Sequence, residues 1–521
     1  ALRELADKVD EHVLYTDNEL NKKVDSEAYN LDKEAIETSI SENKTAIEGD
    51  IADMKEAYEL DKEEQEETNT SLSNGISENK TAIESNKEAI DNKLALKLEK
   101  VYVDGTSIQG DGTKENPIFS TMPIEFEELL SYGVLFSGAE PQGIRVGNMD
   151  LHRKLPLQSQ MRKCLLLDNG EVNYWLNPNN SLLNENGNSA RLDGRDGQVM
   201  VFLPQFWYKV KNTTDGIEYR MSEKSISGYT HSPACYISAY EASLMRDESI
   251  LSSVVNNTAN YRGGNNNAEW DDKQQTLLGK PVTSVSLTNF IKYASNRGAD
   301  WYCNYYDAYK KMCFLYLVEY ANRNSQAEFI ANPTDDGFKQ GGLGDGVTTL
   351  SNSGWNSFNS YNPFIPCGYT NSLGNNTGTK DFTMPSEYGE LVVSVPSYRG
   401  IENPFGHIWK WTDGLEVVAG EETTELKVNG KYIGDLARDE GYIKSMLGEE
   451  IMPVEVGGGS TSYWSDYFHT NAKESQGIRG VRFGGSASAG SSAGLFCSST
   501  FRAPSYAYAN VGSRLCFFKR A

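Results

Sequence analysis

Apolar side chains recur in sevens along the first hundred residues. Ile40, Ile47 and Met54 keep that spacing, with Ile51 and Tyr58 four positions behind, and Ile76, Ile83 and Ile90 repeat it, followed by Leu94. A sustained seven-residue apolar period is a coiled-coil seam, and isoleucine at these positions with few leucines favours three strands. The stretch has no Pro, Cys, Trp or Phe and only two glycines, Gly49 and Gly75, which is helix-forming composition. The segment ISENKTAIE occurs at Ile40–Glu48 and again at Ile76–Glu84. That offset of 36 is not a multiple of seven, and the apolar stripe lapses between Asp61 and Gly75. Two short coiled-coil segments joined by a looser one are therefore expected.

After Lys100 the period changes from seven to two. Val101–Ser120 alternates β-branched and polar residues around DG and GDG turn signals. It resembles the neck strands that follow coiled coils in phage tail fibres. Residues 123–225 read as β-rich, with apolar runs at Lys163–Leu167, Val172–Trp175, Gln198–Leu203 and Phe206–Val210 between Gly, Asn and Asp clusters. Beyond 226, short strands and long Gly/Asn/Ser loops surround two helices. Ser286–Asn296 stops before Gly298, and Tyr306–Ala321 carries Met312, Leu315, Tyr316 and Tyr320 at helical spacing. The expected class is α+β: a trimeric coiled-coil stalk at 1–100, a β neck at 101–122, a β-rich module at 123–225 and a C-terminal domain at 226–521.

Charge narrows the partners. The chain carries a formal −24, and residues 1–100 contribute −14 of it from 13 basic and 27 acidic residues. Nucleic acid and anionic lipid both call for concentrated positive charge, so neither is an expected partner. No apolar run reaches the roughly 18–20 residues of a membrane span, and no signal peptide is visible. The seven cysteines are odd in number and form no CxxC pair, which points to free thiols and away from zinc. Cys497 and Cys516 are the one pair that could meet across neighbouring strands.

The tract Gly477–Phe518 differs from the rest. Between Gly485 and Asn510, sixteen of twenty-six residues are Ser, Ala or Gly, yet four are aromatic and one is Arg502. Small polar residues that adapt, with tyrosines that anchor, make a paratope-like composition. Interrupting aromatics and the closing strand-like VGSRLCFF argue against a flexible linker.

Three blocks in order, YDAYKKMCFLYLVEYANRNSQ (Tyr306–Gln326), ENPFGHIWKWTDGL (Glu402–Leu415) and RFGG…SAGLF…NVGSRLCF (Arg482–Phe517), carry a resemblance. They resemble the C-type-lectin-like fold of the formylglycine-generating-enzyme type, and more closely the variable proteins that retroelements diversify in phages and bacteria. The resemblance implies a lectin-like C-terminal domain with its variable region at about 477–518. It also implies a receptor-binding tail-fibre tip on the virion, built as a homotrimer, with other tail or baseplate proteins at the N-terminal end and no cofactor. Codon randomisation in that family does not yield Lys, Glu, Gln, Met or Trp, and Gly477–Phe518 contains none of the five. The exposed receptor-binding set it implies is Ser486, Ser488, Ser491, Ser492, Phe496, Ser498, Ser499, Thr500, Phe501, Arg502, Ser505, Tyr506, Tyr508 and Asn510. Phe483, Gly484, Gly485, Ala493, Gly494, Leu495, Gly512, Arg514, Leu515 and Phe517 are the implied framework.

Catalytic signatures are sparse. GSSAG (Gly490–Gly494) fits a serine elbow, but no Asp, Glu or His follows Ser492, as that triad order requires. The formylglycine-generating chemistry uses closely spaced cysteines, whereas eighteen residues separate Cys497 from Cys516. His407 reads as a hydrogen-bonded scaffold residue, and Asp335, Asp336 and Asp345 as a solvated acidic loop without a calcium-binding pattern. The expected function is non-enzymatic attachment to a host receptor, protein or glycan. A bacterial surface adhesin and a polysaccharide-degrading fibre are the alternatives.

Overall fold

A computed structural model describes residues 7–8, 10–11, 27–98, 108–109, 119–120, 126–384 and 391–519. The chain divides into two units, Ala1–Pro123 and Ile124–Ala521.

In the first unit one helix runs from Glu27 to Leu98, 72 residues and about 108 Å at 1.5 Å per residue. It passes unbroken through Asp61–Gly75, where a looser joint was expected. The lapse there is in the apolar stripe: residues 62–67 are strong helix formers, and the helix carries on through the weaker formers of 68–75. Met54, Ile76 and Ile83 stand more than half exposed along it. Of the expected neck, Ile108–Gln109 and Phe119–Ser120 form an antiparallel pair. The remainder of 101–122 lies outside the described residues.

The second unit is β-rich with a few helices, in keeping with the α+β expectation. Its central helix, Tyr306–Tyr320, is buried on nearly every side. The apolar spacing led to the expectation of one face packed on one sheet. Instead the helix touches strands of three sheets, because Tyr309, Cys313, Leu317 and Tyr320 are as apolar toward a second side as Met312 and Leu315 are toward the first. It ends at Ala321, whose left-handed backbone returns its N–H to the Leu317 carbonyl.

A five-stranded sheet runs Thr230–Ser232, Phe206–Thr213, Gly216–Ser222, Tyr132–Phe136, Ile144–Gly147. A seven-stranded sheet runs Trp301–Cys303, Leu515–Phe517, Cys235–Ser238, Gln198–Leu203, Lys163–Leu166, Val172–Asn177, Asn180–Asn184. Residues 126–225 thus share a sheet with strands from 235, 301 and 515, so the β-rich stretch and the C-terminal stretch form one unit in the structure. Leu515–Phe517 enters the seven-stranded sheet between Trp301–Cys303 and Cys235–Ser238.

The largest sheet runs Lys431–Asp435, Thr424–Val428, Trp409–Ala419, Gly477–Gly484, Gly494–Ser499, Tyr467–His469, Gly441–Met446, Pro453–Val456. Val511–Gly512 adds in parallel beside Trp409–Lys410. Alternation along these strands gives the sheet two unlike faces. Phe483 faces inward and stacks on Tyr309 of the central helix at 4.7 Å. Its neighbours Arg482 and Trp411 lie on the other face.

A buried polar cluster braces this core. Glu241 meets His407 Nδ1 at 2.6 Å and Lys410 Nζ at 2.8 Å. His407 Nε2 accepts from the backbone N–H groups of Phe364 and Ile365, so the ring is a fully engaged scaffold group. Burial pushes the Glu241 carboxyl up, but the adjacent Lys410 and His407 more than reverse this and hold it at about 2.

Candidate receptor-binding surface

On the face of the large sheet away from the central helix, residues pair across four strands: Trp411 opposite Arg482, Arg482 opposite Ser499, and Ser499 opposite His469. Arg482 donates to Ser499 Oγ at 2.9 Å, and its guanidinium lies 5.1 Å from the Trp409 ring and 5.3 Å from Trp411. Burial lowers the Arg482 guanidinium to about 10, still protonated at neutral pH.

The segment Phe501–Asn510 folds over this row. Four backbone bonds fix it, each accepted by a carbonyl of the segment. Gly480 N–H donates to Arg502 O (3.0 Å), Leu287 N–H to Pro504 O (3.0 Å), Ser284 N–H to Tyr508 O (2.9 Å) and Trp409 N–H to Asn510 O (2.9 Å). Gly480 has no substitute here, since a Cβ would stand 2.7 Å from the Trp411 ring. The helix Leu287–Ser295, capped by Ser286 Oγ on the Asn289 N–H, supplies one of the clamps. Every one of these four clamps is a backbone group and so is independent of which side chains the segment carries.

Those side chains make an aromatic and cationic surface. Arg502 is exposed, with its guanidinium 4.6 Å from the Tyr506 ring and 4.9 Å from Phe501. Tyr506 and Tyr508 lie near-parallel at 6.1 Å, and Tyr508 is 44 % exposed. Ser505 is exposed; Phe501, Tyr506 and Asn510 are half-buried. In the preceding turn Ser491 is exposed, and Ser488 and Ser492 are half-buried. Ser492 Oγ donates to the Ala489 carbonyl of its own turn, a local bond and not a nucleophile's environment.

Five expected surface residues are inside: Ser486, Phe496, Ser498, Ser499 and Thr500. Phe496, Ser498 and Ser499 lie on a strand with neighbours on both sides. Phe496 packs on Trp464 at 4.8 Å, and Thr500 bonds Thr470 Oγ1 at 3.0 Å. Composition alone does not separate a buried Ser in a central strand from an exposed Ser in a loop. All ten framework residues are buried, as expected. Cys497 and Cys516 do not meet: they lie in different sheets, and all seven cysteines are free and buried. Among the described residues no three His, Cys, Asp or Glu side chains gather as a metal site, Asp335, Asp336 and Asp345 included.

Residues outside the tract extend the surface. Tyr361 lies 6.2 Å from Tyr508. On the other side Trp409, His469, Tyr467 and Tyr442 follow one another at 5.6, 4.6 and 5.2 Å, and Tyr442 Oη meets Ser491 Oγ at 2.9 Å. Sequence reasoning missed these flanking rings. In the sequence they are isolated aromatics in short apolar stretches, which the chain has in many other places.

No protein-family model matches the chain, and no curated protein matches it. Among solved structures it is similar to a Major Tropism Determinant P3c variant, at 12 % identity and a TM-score of 0.18 over 60 % of this chain and 72 % of that one. A Major Tropism Determinant U1 variant matches at 11 % identity, the same TM-score and the same coverage. Among the described residues no helix is long and apolar enough to cross a membrane.

Proposed function

We propose that this chain is the receptor-binding protein of a phage tail fibre, attaching the virion to a host-cell receptor through Phe501–Asn510 and the neighbouring Ser488–Ser492 turn. The observation that carries the reading is the division of labour in that segment. Backbone carbonyls fix its path, and Arg502, Ser505 and Tyr508 are left to face outward. Such a surface can change its side chains without changing its fold, as the resemblance to retroelement-diversified proteins implies for a lectin-like tip. The mechanism is non-covalent adhesion. Exposed aromatics and arginine are the residue types that dominate binding hot spots.

The stalk fits the same role. A helix with Ile76 and Ile83 uncovered seven residues apart, and Met54 exposed in the separate register of the preceding segment, gains by packing on copies of itself. Three tips on one stalk would raise a weak single-site affinity by roughly 10²–10⁴.

The test is adsorption to host cells by purified protein. Tyr508→Ala with Arg502→Ala should abolish cell binding while circular dichroism and molar mass stay as in the parent. Undiminished adsorption by that folded double variant would refute the assignment of the surface.

A further inference from the structure

A cleft of about 510 Å³ opens at the far edge of the seven-stranded sheet, where the turn after Val172–Asn177 meets the loop Gly374–Asn376. Its volume falls in the range of small-ligand sites, about 300–1,000 Å³. Ser159, Arg162, Glu185, Asn375, Asn376 and Arg399 line it, over an apolar floor that includes Met161 and Leu176.

The walls are fixed before any ligand arrives. Asn375 N–H donates to the Pro178 carbonyl at 2.7 Å, and Asn375 Oδ1 accepts from Lys163 N–H at 2.9 Å. Gly374, at φ +60°, permits this approach, since a Cβ there would stand 2.1 Å from the Pro178 oxygen. Arg162 lies 4.0 Å from the Trp175 ring and donates to Glu185 Oε2 at 3.0 Å.

The charges are already matched. Arg162 is paired with Glu185, and Arg399 binds the buried Glu319 through two nitrogens at 2.7 Å. A phosphate or carboxylate ligand would have to compete with those carboxylates. Hydrogen-bonding capacity remains on both sides. Among the described residues Asn375 Nδ2 is left to donate. Glu185 Oε1 is left to accept, as is Asn376 Oδ1, whose amide nitrogen donates to the Leu373 carbonyl. Ser159 Oγ donates to the Pro156 carbonyl and keeps its lone pairs. A purely apolar ligand would leave these groups unsatisfied. Hydroxyl groups, which donate and accept at once, fit them, and an apolar floor fits the C–H face of a sugar ring.

We propose that this cleft binds one neutral saccharide unit, independently of the Phe501–Asn510 surface. It binds without cleaving. Glycoside hydrolysis canonically uses two carboxyl groups flanking the bond, and among the described residues Glu185 is the single carboxylate lining this cleft.

Saturation-transfer NMR on the full chain tests this with glucose, galactose, mannose and N-acetylglucosamine, and with N-acetylneuraminic acid and inorganic phosphate as charged controls. At least one neutral sugar should bind saturably, and Glu185→Ala and Asn376→Ala should each weaken it by about 3–10-fold, the value of one net hydrogen bond. Tyr508→Ala should leave it unchanged. Silence from all four neutral sugars at tens of millimolar, binding of the charged controls alone, or binding unaffected by both cleft variants while circular dichroism reports a native fold would each overturn the proposal.

Discussion

The Arg482 guanidinium lies 5.6 Å from the Tyr506 ring, joining the floor of the large sheet to the loop above it. Arg482 is buried, Tyr506 half-buried, and the Trp409 and Trp411 rings lie 5.1 and 5.3 Å from the same cation. A desolvated cation–π contact is worth about 2 kcal/mol. Arg482→Ala should therefore lower stability by about 2–4 kcal/mol, since it also leaves a cavity. Hydrogen exchange should rise at Gly480 and Leu287, whose N–H groups clamp the loop. Protection unchanged at both amides would mean that the backbone clamps alone order the segment.

Within the tract, exposure divides positions that composition does not. Phe496 is fully buried against Trp464, and Phe496→Ala should cost about 3–5 kcal/mol. Ser505 is exposed, and Ser505→Tyr should stay within about 0.5 kcal/mol of the parent. Ser498→Tyr, in a central strand with no room beside Phe468 and Phe483, should fail to fold. Urea melts of the three variants check the division.

That division also marks what the sequence made legible. The strands at 163–166, 198–203 and 206–213 and the helices at 287–295 and 306–320 fall close to where period and caps put them, because those signals are local. Strand partners are not local. Nothing in Gln198–Leu203 announces that Cys235–Ser238 and then Leu515–Phe517 will lie beside it. The merger of 126–225 with the C-terminal stretch was therefore out of reach. For the same reason Ser498 and Ser505 look alike in sequence, although a neighbouring strand on each side covers only the first. The buried framework was legible because glycines at tight approaches and large apolar residues have few other uses.

Acid should weaken the second unit through two histidines. Burial pushes His152 down to about 4, and burial together with Arg482 does the same to His469. Both are neutral in the fold and titrate near 6.5 when unfolded. Their stabilising contribution is therefore complete above pH 6.5 and is lost as pH falls toward 4. Between about 4 and 6.5, at about 1.4 kcal/mol per pKa unit, each contributes on the order of 3 kcal/mol. Burial raises the Asp466 carboxyl, which acts in the opposite sense, so the informative quantity is a difference. Chemical denaturation at pH 7.5 and pH 5 should show a smaller drop for His469→Asn than for the parent. Equal drops would remove His469 from the acid response.

The stalk makes the last prediction. Ile76 and Ile83 are 66 % and 67 % exposed on a single chain, an apolar cost that a helix of this length would not carry alone in water. Packing three copies along that register removes both side chains from solvent, at about 25 cal/mol per Å² of apolar surface. Sedimentation equilibrium of the full chain should give three times the 57.9 kDa protomer mass. Ile76→Asn with Ile83→Asn should shift the chain toward monomer and lower cell adsorption by the avidity factor, leaving the Phe501–Asn510 surface folded. A parent chain that sediments as a monomer at micromolar concentration would remove the coiled coil from the proposal, and a double variant that stays trimeric would place the contact elsewhere than on this stripe.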